Sequence, residues 1–329
     1  MLDDKTHSAS KLKMDAAAAA TQGKRSYQED TIISHFPLGQ SYGYAIVADG
    51  VGGHAAGAVA SAIATSETFN TIKMNEDQVT NPMSAPLVLR EAAEAANSRI
   101  QTHAKVNQDS FGMSTTLLVP VITGDKLLWL SIGDSPLLLF RAGALRQLNK
   151  DHSMAPQIDM MVKVGSMDAE TGKNHPDRNA LTSALNGDEI AMIDCPSVPV
   201  SLLPGDIVVA TTDGLQSLSN AAIANTLMQN MHKSSREIAE CFLTAIEDKD
   251  AEHQDNASFV VIKIALVDDG STATNADDLP VLAMADAVDE AAEATAAPEP
   301  QAAPEAPAAE PVAEKKPETY WYRGRQYTK

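Results

Sequence analysis

Four acidic clusters stand at the edges of apolar runs that lie far apart in the chain. Glu29-Asp30 precedes Thr31-Ile32-Ile33, and Asp49-Gly50 follows Tyr44-Ala45-Ile46-Val47-Ala48. Asp213-Gly214 follows Ile207-Val208-Val209-Ala210-Thr211, and Asp255-Asn256 leads into Ala257 to Ile264. Short apolar runs of this kind suit strands buried on both faces, which would put each acid at the rim of a β-core. A carboxylate beside bare glycine backbone suits a hard divalent cation, with the Gly50 carbonyl as a second oxygen. Each one alone reads equally well as a turn aspartate bonding its own backbone. The repetition points instead to a single site gathered from several strands. Arg25, just ahead of Glu29, is either a solvated loop cation or a planar fork able to grip two phosphate oxygens.

The remaining pattern supplies the elements that must position these groups. After Asp49 the glycine-rich turn leads into a helix over 53–74, with Gly53, Gly57, Ser61 and Ala64 making a face of small residues fit to lie close against a sheet. Pro82 and Pro86 break the chain before a second helix over 87–104. Strands are expected over 114–122, 126–132 and 137–140, with Gly124-Asp125 and Gly133-Asp134-Ser135 as the hairpin turns between them. Residues 151–180 lose strand periodicity and turn polar. Strands over 189–194 and 205–211, helices over 220–230 and 234–247, and a last strand over 257–267 complete the core.

The chain has 329 residues and a net charge of −19, with 25 basic residues against 44 acidic. No basic cluster stands out, which disfavours nucleic acid and anionic membranes as partners. Two cysteines, Cys195 and Cys241, make neither a disulfide framework nor a zinc site. No apolar stretch is long enough to span a bilayer, and a cytoplasmic location is expected. Residues 1–13 read as a disordered tail and 14–267 as one domain. Residues 268–318 carry thirteen acids and two lysines among many alanines and prolines, and read as a disordered acidic linker. The chain closes on Tyr320-Trp321-Tyr322-Arg323-Gly324-Arg325-Gln326-Tyr327-Thr328-Lys329, four aromatics in ten residues where the whole chain has fourteen. Aromatics and arginines anchor interfaces, so residues 319–329 are expected to be a docking motif, for a partner protein or for the acidic face of the chain's own catalytic domain.

In order along the chain, Arg25-Ser26-Tyr27-Gln28-Glu29-Asp30, Asp49-Gly50-Val51-Gly52-Gly53-His54, Gly112-Met113-Ser114-Thr115-Thr116, Gly133-Asp134-Ser135, Asp151-His152-Ser153, His175 to Thr182, Asp213-Gly214 and Asp255-Asn256-Ala257-Ser258 resemble the metal-dependent protein phosphatases of the 2C type, in their bacterial branch. The resemblance covers about Asp15 to Val267. It implies a four-layer αββα sandwich, two mostly antiparallel sheets flanked by helices. It also places the first strand over 15–21, where five consecutive alanines would by propensity alone form a helix. The implied activity is hydrolysis of phosphoserine and phosphothreonine in proteins phosphorylated by a cognate kinase. A hydroxide held by two Mn²⁺ or Mg²⁺ ions would attack directly. Carried over to this chain, Asp49 bridges the ions, Asp213 and Asp255 complete one, and Glu29 and the Gly50 carbonyl complete the other. Asp30 orients water, Arg25 holds phosphate, and Asp134 marks a weaker third ion. Residues 151–180 correspond to a flap beside the site.

Three positions depart from the pattern. Val51 stands where animal relatives carry a histidine, which leaves a metal-bound water or His54 as the proton donor. Pro136 and Ser183 stand where arginines are frequent, which implies altered substrate contacts or local packing. Two other readings compete: a phosphoprotein-binding module without catalysis, which should lack one of Glu29, Asp49, Asp213 or Asp255, and a metal-dependent nuclease or small-molecule phosphoesterase.

Overall fold

The computed structural model describes residues 12–52, 55–110, 112–266, 319–322 and 325–328. Two antiparallel sheets form its centre. One sheet has the order β1 (Leu12–Thr21), β11 (Ala257–Leu266), β10 (Ile207–Thr211), β7 (Leu137–Arg141), β8 (Ala144–Gln147). The other has the order β2 (Asp30–His35), β3 (Tyr42–Val51), β5 (Leu117–Thr123), β6 (Lys126–Ile132), β9 (Val200–Ser201), with β4 (Ser114–Thr115) on the end of β3. Helices α1 (Ala55–Met74), α2 (Glu76–Val79) and α3 (Ala85–Val106) lie on the β3 side, and α6 (Asn220–Asn230) and α7 (Ser235–Lys249) on the β11 side. Two short helices, α4 (Ala155–Lys163) and α5 (Ala169–Lys173), occupy the polar segment expected as a flap.

The continuous apolar runs follow from this layering. On β3, Tyr44 and Ile46 face α1 and α3, while Ala45 and Val47 face the opposite sheet, so every position is buried. The β11 strand does the same, with Val260 and Ile262 between the sheets and Phe259 and Val261 under α6 and α7. The alanines of β1 obey tertiary pairing over helix propensity. They are zipped to β11 from Leu12↔Leu266 to Thr21↔Ala257. Asp15 accepts the backbone N–H of Ser235 at 2.7 Å, tying the start of α7 to this strand.

Several boundaries differ from expectation. The first strand opens at Leu12, inside the polar tail assigned to 1–13. Pro86 sits in the first turn of α3, where its missing N–H is harmless, so the helix begins before the expected break ends. No strand forms over 189–194; only Asp194 bridges to Ser131 of β6. The largest correction concerns Gly133-Asp134-Ser135. It is not a hairpin turn, because β6 and β7 belong to different sheets and this segment carries the chain from one to the other. Gly133 makes the crossing with φ +100, and a Cβ there would lie 2.6 Å from Thr116 Cγ2.

The C-terminal residues form a unit of their own, a two-stranded antiparallel hairpin of β12 (Thr319–Tyr322) and β13 (Arg325–Thr328), with Tyr320 opposite Tyr327 and Tyr322 opposite Arg325. The expected linker, 268–318, lies outside the described residues. Among the described residues no helix is long and apolar enough to cross a membrane.

Candidate active site

The strand ends bring the expected acids to one rim of the sandwich. The β2–β3 register sets Asp30 opposite Asp49. The backbone of Asp49 is clamped on both sides: its carbonyl accepts Thr116 N at 2.9 Å and Thr115 Oγ1 at 2.9 Å, and its N–H donates to Thr116 Oγ1 at 3.0 Å. From the other sheet, Thr212 Oγ1 donates to Asp30 Oδ2 at 2.9 Å, so the residue before Asp213 reaches across to β2. The second oxygen of Asp30 is sealed from solvent with no hydrogen-bond partner.

Glu29 and Gly50 meet beneath the first turns of α1. Gly50 N donates to Glu29 O at 3.1 Å, and Ser61 Oγ donates to the same carbonyl at 2.6 Å. A Cβ built on Gly57 would lie 2.3 Å from Glu29 Oε1 and 2.9 Å from Gly50 O. The small-residue face of α1 therefore leaves a cradle in which one carboxylate oxygen and one carbonyl oxygen approach each other.

Electrostatics mark this rim as a place where negative charge is held at a cost. Burial pushes the Asp49 carboxyl well above its usual range, and Asp30, Asp213, Asp134 and Asp255 add repulsion. Burial raises Asp30 to about 7, with the Thr212 hydroxyl opposing the shift. Asp134 also rises to about 7, through burial and then repulsion from Asp213 and Asp151. Asp213 rises by burial and by the neighbouring Asp255, with Asp49 and Arg25 opposing the shift. Arg25 supplies the local positive charge, donating from Nη2 to Asp255 Oδ2 at 2.5 Å. Both side chains of this pair are partly exposed.

Three residues outside the expected set hold the site together. Asn256 Oδ1 accepts Glu29 N at 2.8 Å, and its Nδ2 donates to Gln22 O at 2.8 Å and Tyr27 O at 3.0 Å, stapling the Arg25–Glu29 loop to the start of β11. Thr116 Oγ1 shares a 2.8 Å hydrogen bond with Ser135 Oγ, joining the Asp49 strand to the Asp134 crossing. Asn149 then holds that crossing, donating to Ser135 O at 2.9 Å and accepting Leu137 N at 2.7 Å. Asn256 and Thr116 stand inside motifs that carry the resemblance, whereas no signal in the sequence pointed to Asn149. His54 lies outside the described residues.

This donor set suits a hard divalent cation. The oxygens are carboxylate and carbonyl, their own charges oppose one another, and a gap bounded by Glu29, Gly50 and Gly57 is already shaped. Among the described residues no three Asp, Glu, His or Cys side chains yet converge on one point as a finished ligand shell, and Arg25 engages an oxygen of Asp255.

Residues 24–248 match the family model for protein phosphatase 2C. The serine/threonine phosphatase stp of Listeria welshimeri is 29% identical over 235 residues, 70% of this chain and 87% of that protein. The serine/threonine protein phosphatase PstP of Mycobacterium tuberculosis is 30% identical over 229 residues, 69% of this chain and 41% of that protein. Among solved structures, the serine/threonine phosphatase of S. agalactiae aligns with TM-score 0.62 and 26% identity, over 76% of this chain and 99% of that one. The catalytic domain of PstP in complex with two manganese ions aligns with TM-score 0.59 and 26% identity, over 77% of this chain and 99% of that one.

Proposed function

The chain belongs to the protein phosphatase 2C family, and from that membership and the acidic rim we infer that it is a metal-dependent protein phosphatase acting on phosphoserine and phosphothreonine. The single observation that carries this reading is that Glu29, Asp49, Asp213 and Asp255 are all present at one rim, so a module without catalysis, which should lack one of them, is disfavoured. Mn²⁺ or Mg²⁺ bound there supplies the positive charge that generates a nucleophile from water at neutral pH and draws in the phosphoryl group. Asp49, at the centre of the repelling acids, is proposed to contact both ions. Asp213 and Asp255 would flank one, and Glu29 with the Gly50 carbonyl would hold the other. Asp30, locked by Thr212, is proposed to orient the attacking water. Asp134, on the crossing between sheets, is proposed to serve a weaker third ion.

The test is hydrolysis of a simple aryl phosphate with Mn²⁺, followed by phosphoserine and phosphothreonine peptides. Activity on the aryl phosphate alone would favour a small-molecule phosphoesterase, and activity on neither would end the reading. The net charge of −19 disfavours a nuclease.

Arg25 is proposed to leave Asp255 for the substrate phosphate, a bidentate exchange for which its fork is suited. Arg25→Ala is expected to raise KM about ten- to a hundredfold. Mn²⁺ affinity should be unchanged or tighter, because Asp255 loses a competing partner. A weakened Mn²⁺ titration with unchanged KM would make Arg25 a structural residue.

The proposed partners are phosphoserine and phosphothreonine proteins made by a cognate serine/threonine kinase, and a docking partner for residues 319–329. An isolated two-stranded hairpin is marginal in water, and this one is aromatic and net +3, so a covering surface is favoured. Deleting 319–329 should leave aryl phosphate turnover intact while reducing association with the physiological partner. A pull-down that recovers the same partners with and without the segment would refute the docking role. Two free thiols, Cys195 and Cys241, support a cytoplasmic location.

A further inference from the structure

Beside the acidic rim lies a cleft of about 510 Å³ lined by Lys150, Asp151, His152, Pro156, Met192 and Ile193. Its floor and the Asp134 crossing are one piece of structure. His152 N donates to Gly133 O at 3.0 Å, and Gly133 N donates to His152 Nδ1 at 3.3 Å. Asp151 stands close enough to repel Asp134. The far wall is equally built. The buried hydroxyl of Ser183 donates to Met192 O at 2.8 Å and accepts Met192 N at 3.0 Å, fixing the backbone of that residue on both sides. The buried Asp194 then joins the two walls. Its Oδ2 accepts Lys150 N at 3.0 Å and Trp129 Nε1 at 3.0 Å, immediately after Ile193 in the chain.

A cleft with two walls pinned to each other keeps its shape, and most of the surface lining this one is apolar. Pro156, Met192 and Ile193 supply aliphatic surface, and Met192 leaves 40% of its surface in solvent although its backbone is fully tied. Lys150 and Asp151 contribute one charge of each sign, which leaves the apolar wall as the selecting feature. A flexible thioether adapts to several aliphatic shapes. Ser183, which departs from the pattern of the resemblance, is thus the residue that presents Met192.

We propose that this cleft receives an apolar side chain of the phosphoprotein, adjacent in sequence to the phosphorylated residue, and that Met192 is its specificity-determining wall with Ser183 as the positioning residue behind it. The proposal rests on the phosphatase reading above. Contact of one aliphatic side chain with a partly open wall discriminates at the lower end of what apolar pockets achieve.

The test uses phosphothreonine peptides of one length carrying Leu or Ser at each position flanking the phosphorylated residue, with an aryl phosphate as the control. The full chain is expected to prefer Leu over Ser at one flank by about tenfold in kcat/KM. Met192→Asp should reduce that ratio to below about twofold, and Ser183→Ala should reduce it part of the way, with aryl phosphate kcat/KM held within about twofold. Should Met192→Asp lower aryl phosphate turnover, Met192→Gln, which keeps the length of the side chain, is judged by the same Leu-to-Ser ratio. Equal rates on Leu and Ser peptides at every flank, or a ratio retained by the Met192 variants, would overturn the proposal while leaving the phosphatase reading intact. Inactivity of the parent protein on the aryl phosphate would overturn both.

Discussion

Asp49→Asn is expected to lose Mn²⁺-dependent phosphatase activity by at least about a thousandfold while melting, without metal, no lower than the parent protein. The two halves of this result have one cause. Asp49 is a crowded carboxylate, raised by burial and by Asp30, Asp213, Asp134 and Asp255 together. Replacing it with a neutral amide of the same shape relieves that repulsion in the metal-free protein and removes the charge that offsets the ions in the loaded one. The backbone clamps from Thr115 and Thr116 do not involve the side chain and should survive. Thermal melts with and without Mn²⁺ separate the contributions: the parent should gain stability on adding Mn²⁺, and the variant should gain little. Near-parent turnover in the folded variant, or an undiminished Mn²⁺ shift in its melting temperature, would sink the two-ion assignment.

Gly57→Ala is expected to lower activity by about a hundredfold and, unlike Asp49→Asn, to lower stability as well. Inside an α-helix such a change ordinarily stabilises by about 0.5–1 kcal/mol. Here the added methyl would sit 2.3 Å from Glu29 Oε1 and 2.9 Å from both the carbonyl carbon and oxygen of Gly50. Overpacking of this kind costs about 1–3 kcal/mol and outweighs the helix gain. The net expectation is a loss of about 1–2 kcal/mol. Glu29 is also driven away from the Gly50 carbonyl, and a displacement of one ångström in a catalytic constellation can cost about a hundredfold in rate. Denaturant melts and Mn²⁺ titration by calorimetry check both parts, with Ser66→Ala on the exposed face of α1 as the control. A Gly57→Ala protein that binds Mn²⁺ like the parent would show that Glu29 and Gly50 do not share an ion.

The acids were legible in the sequence because a strand buried on both faces has no room for a carboxylate until it ends. Asp49, Asp213 and Asp255 each mark such an end, and the family resemblance supplied the sandwich that gathers them. What stayed hidden was pairing at a distance. Gly133-Asp134-Ser135 has turn chemistry, but turn residues describe only the local backbone, not the sheet that the next strand joins. The short apolar run within 189–194 looks like a strand, yet its backbone groups go to Ser183 and Ser131, partners that no local pattern announces. The pairing of Arg25 with Asp255 and the staple from Asn256 to Glu29 span most of the chain for the same reason. The β8 strand, Ala-Leu-Arg-Gln, was missed because it is short, mostly exposed and without periodicity.

The pairing of β1 with β11 sets the order in which this enzyme can come into being. Among the described residues, the strand from Leu12 to Thr21 is made before every other strand of its sheet, and its one neighbour there is the strand from Ala257 to Leu266, made after the others. Until then its alanine-rich edge has nothing to zip to, and Arg25 and Glu29 lack the Asp255 and Asn256 that fix them. Closing so distant a contact is slow, and it leaves an exposed edge for as long as it takes. A ribosome that stops, or a protease that cuts, anywhere before Ala257 therefore leaves no partly active phosphatase. It leaves an open sheet without a substrate site, so catalytic competence arrives only when the domain closes.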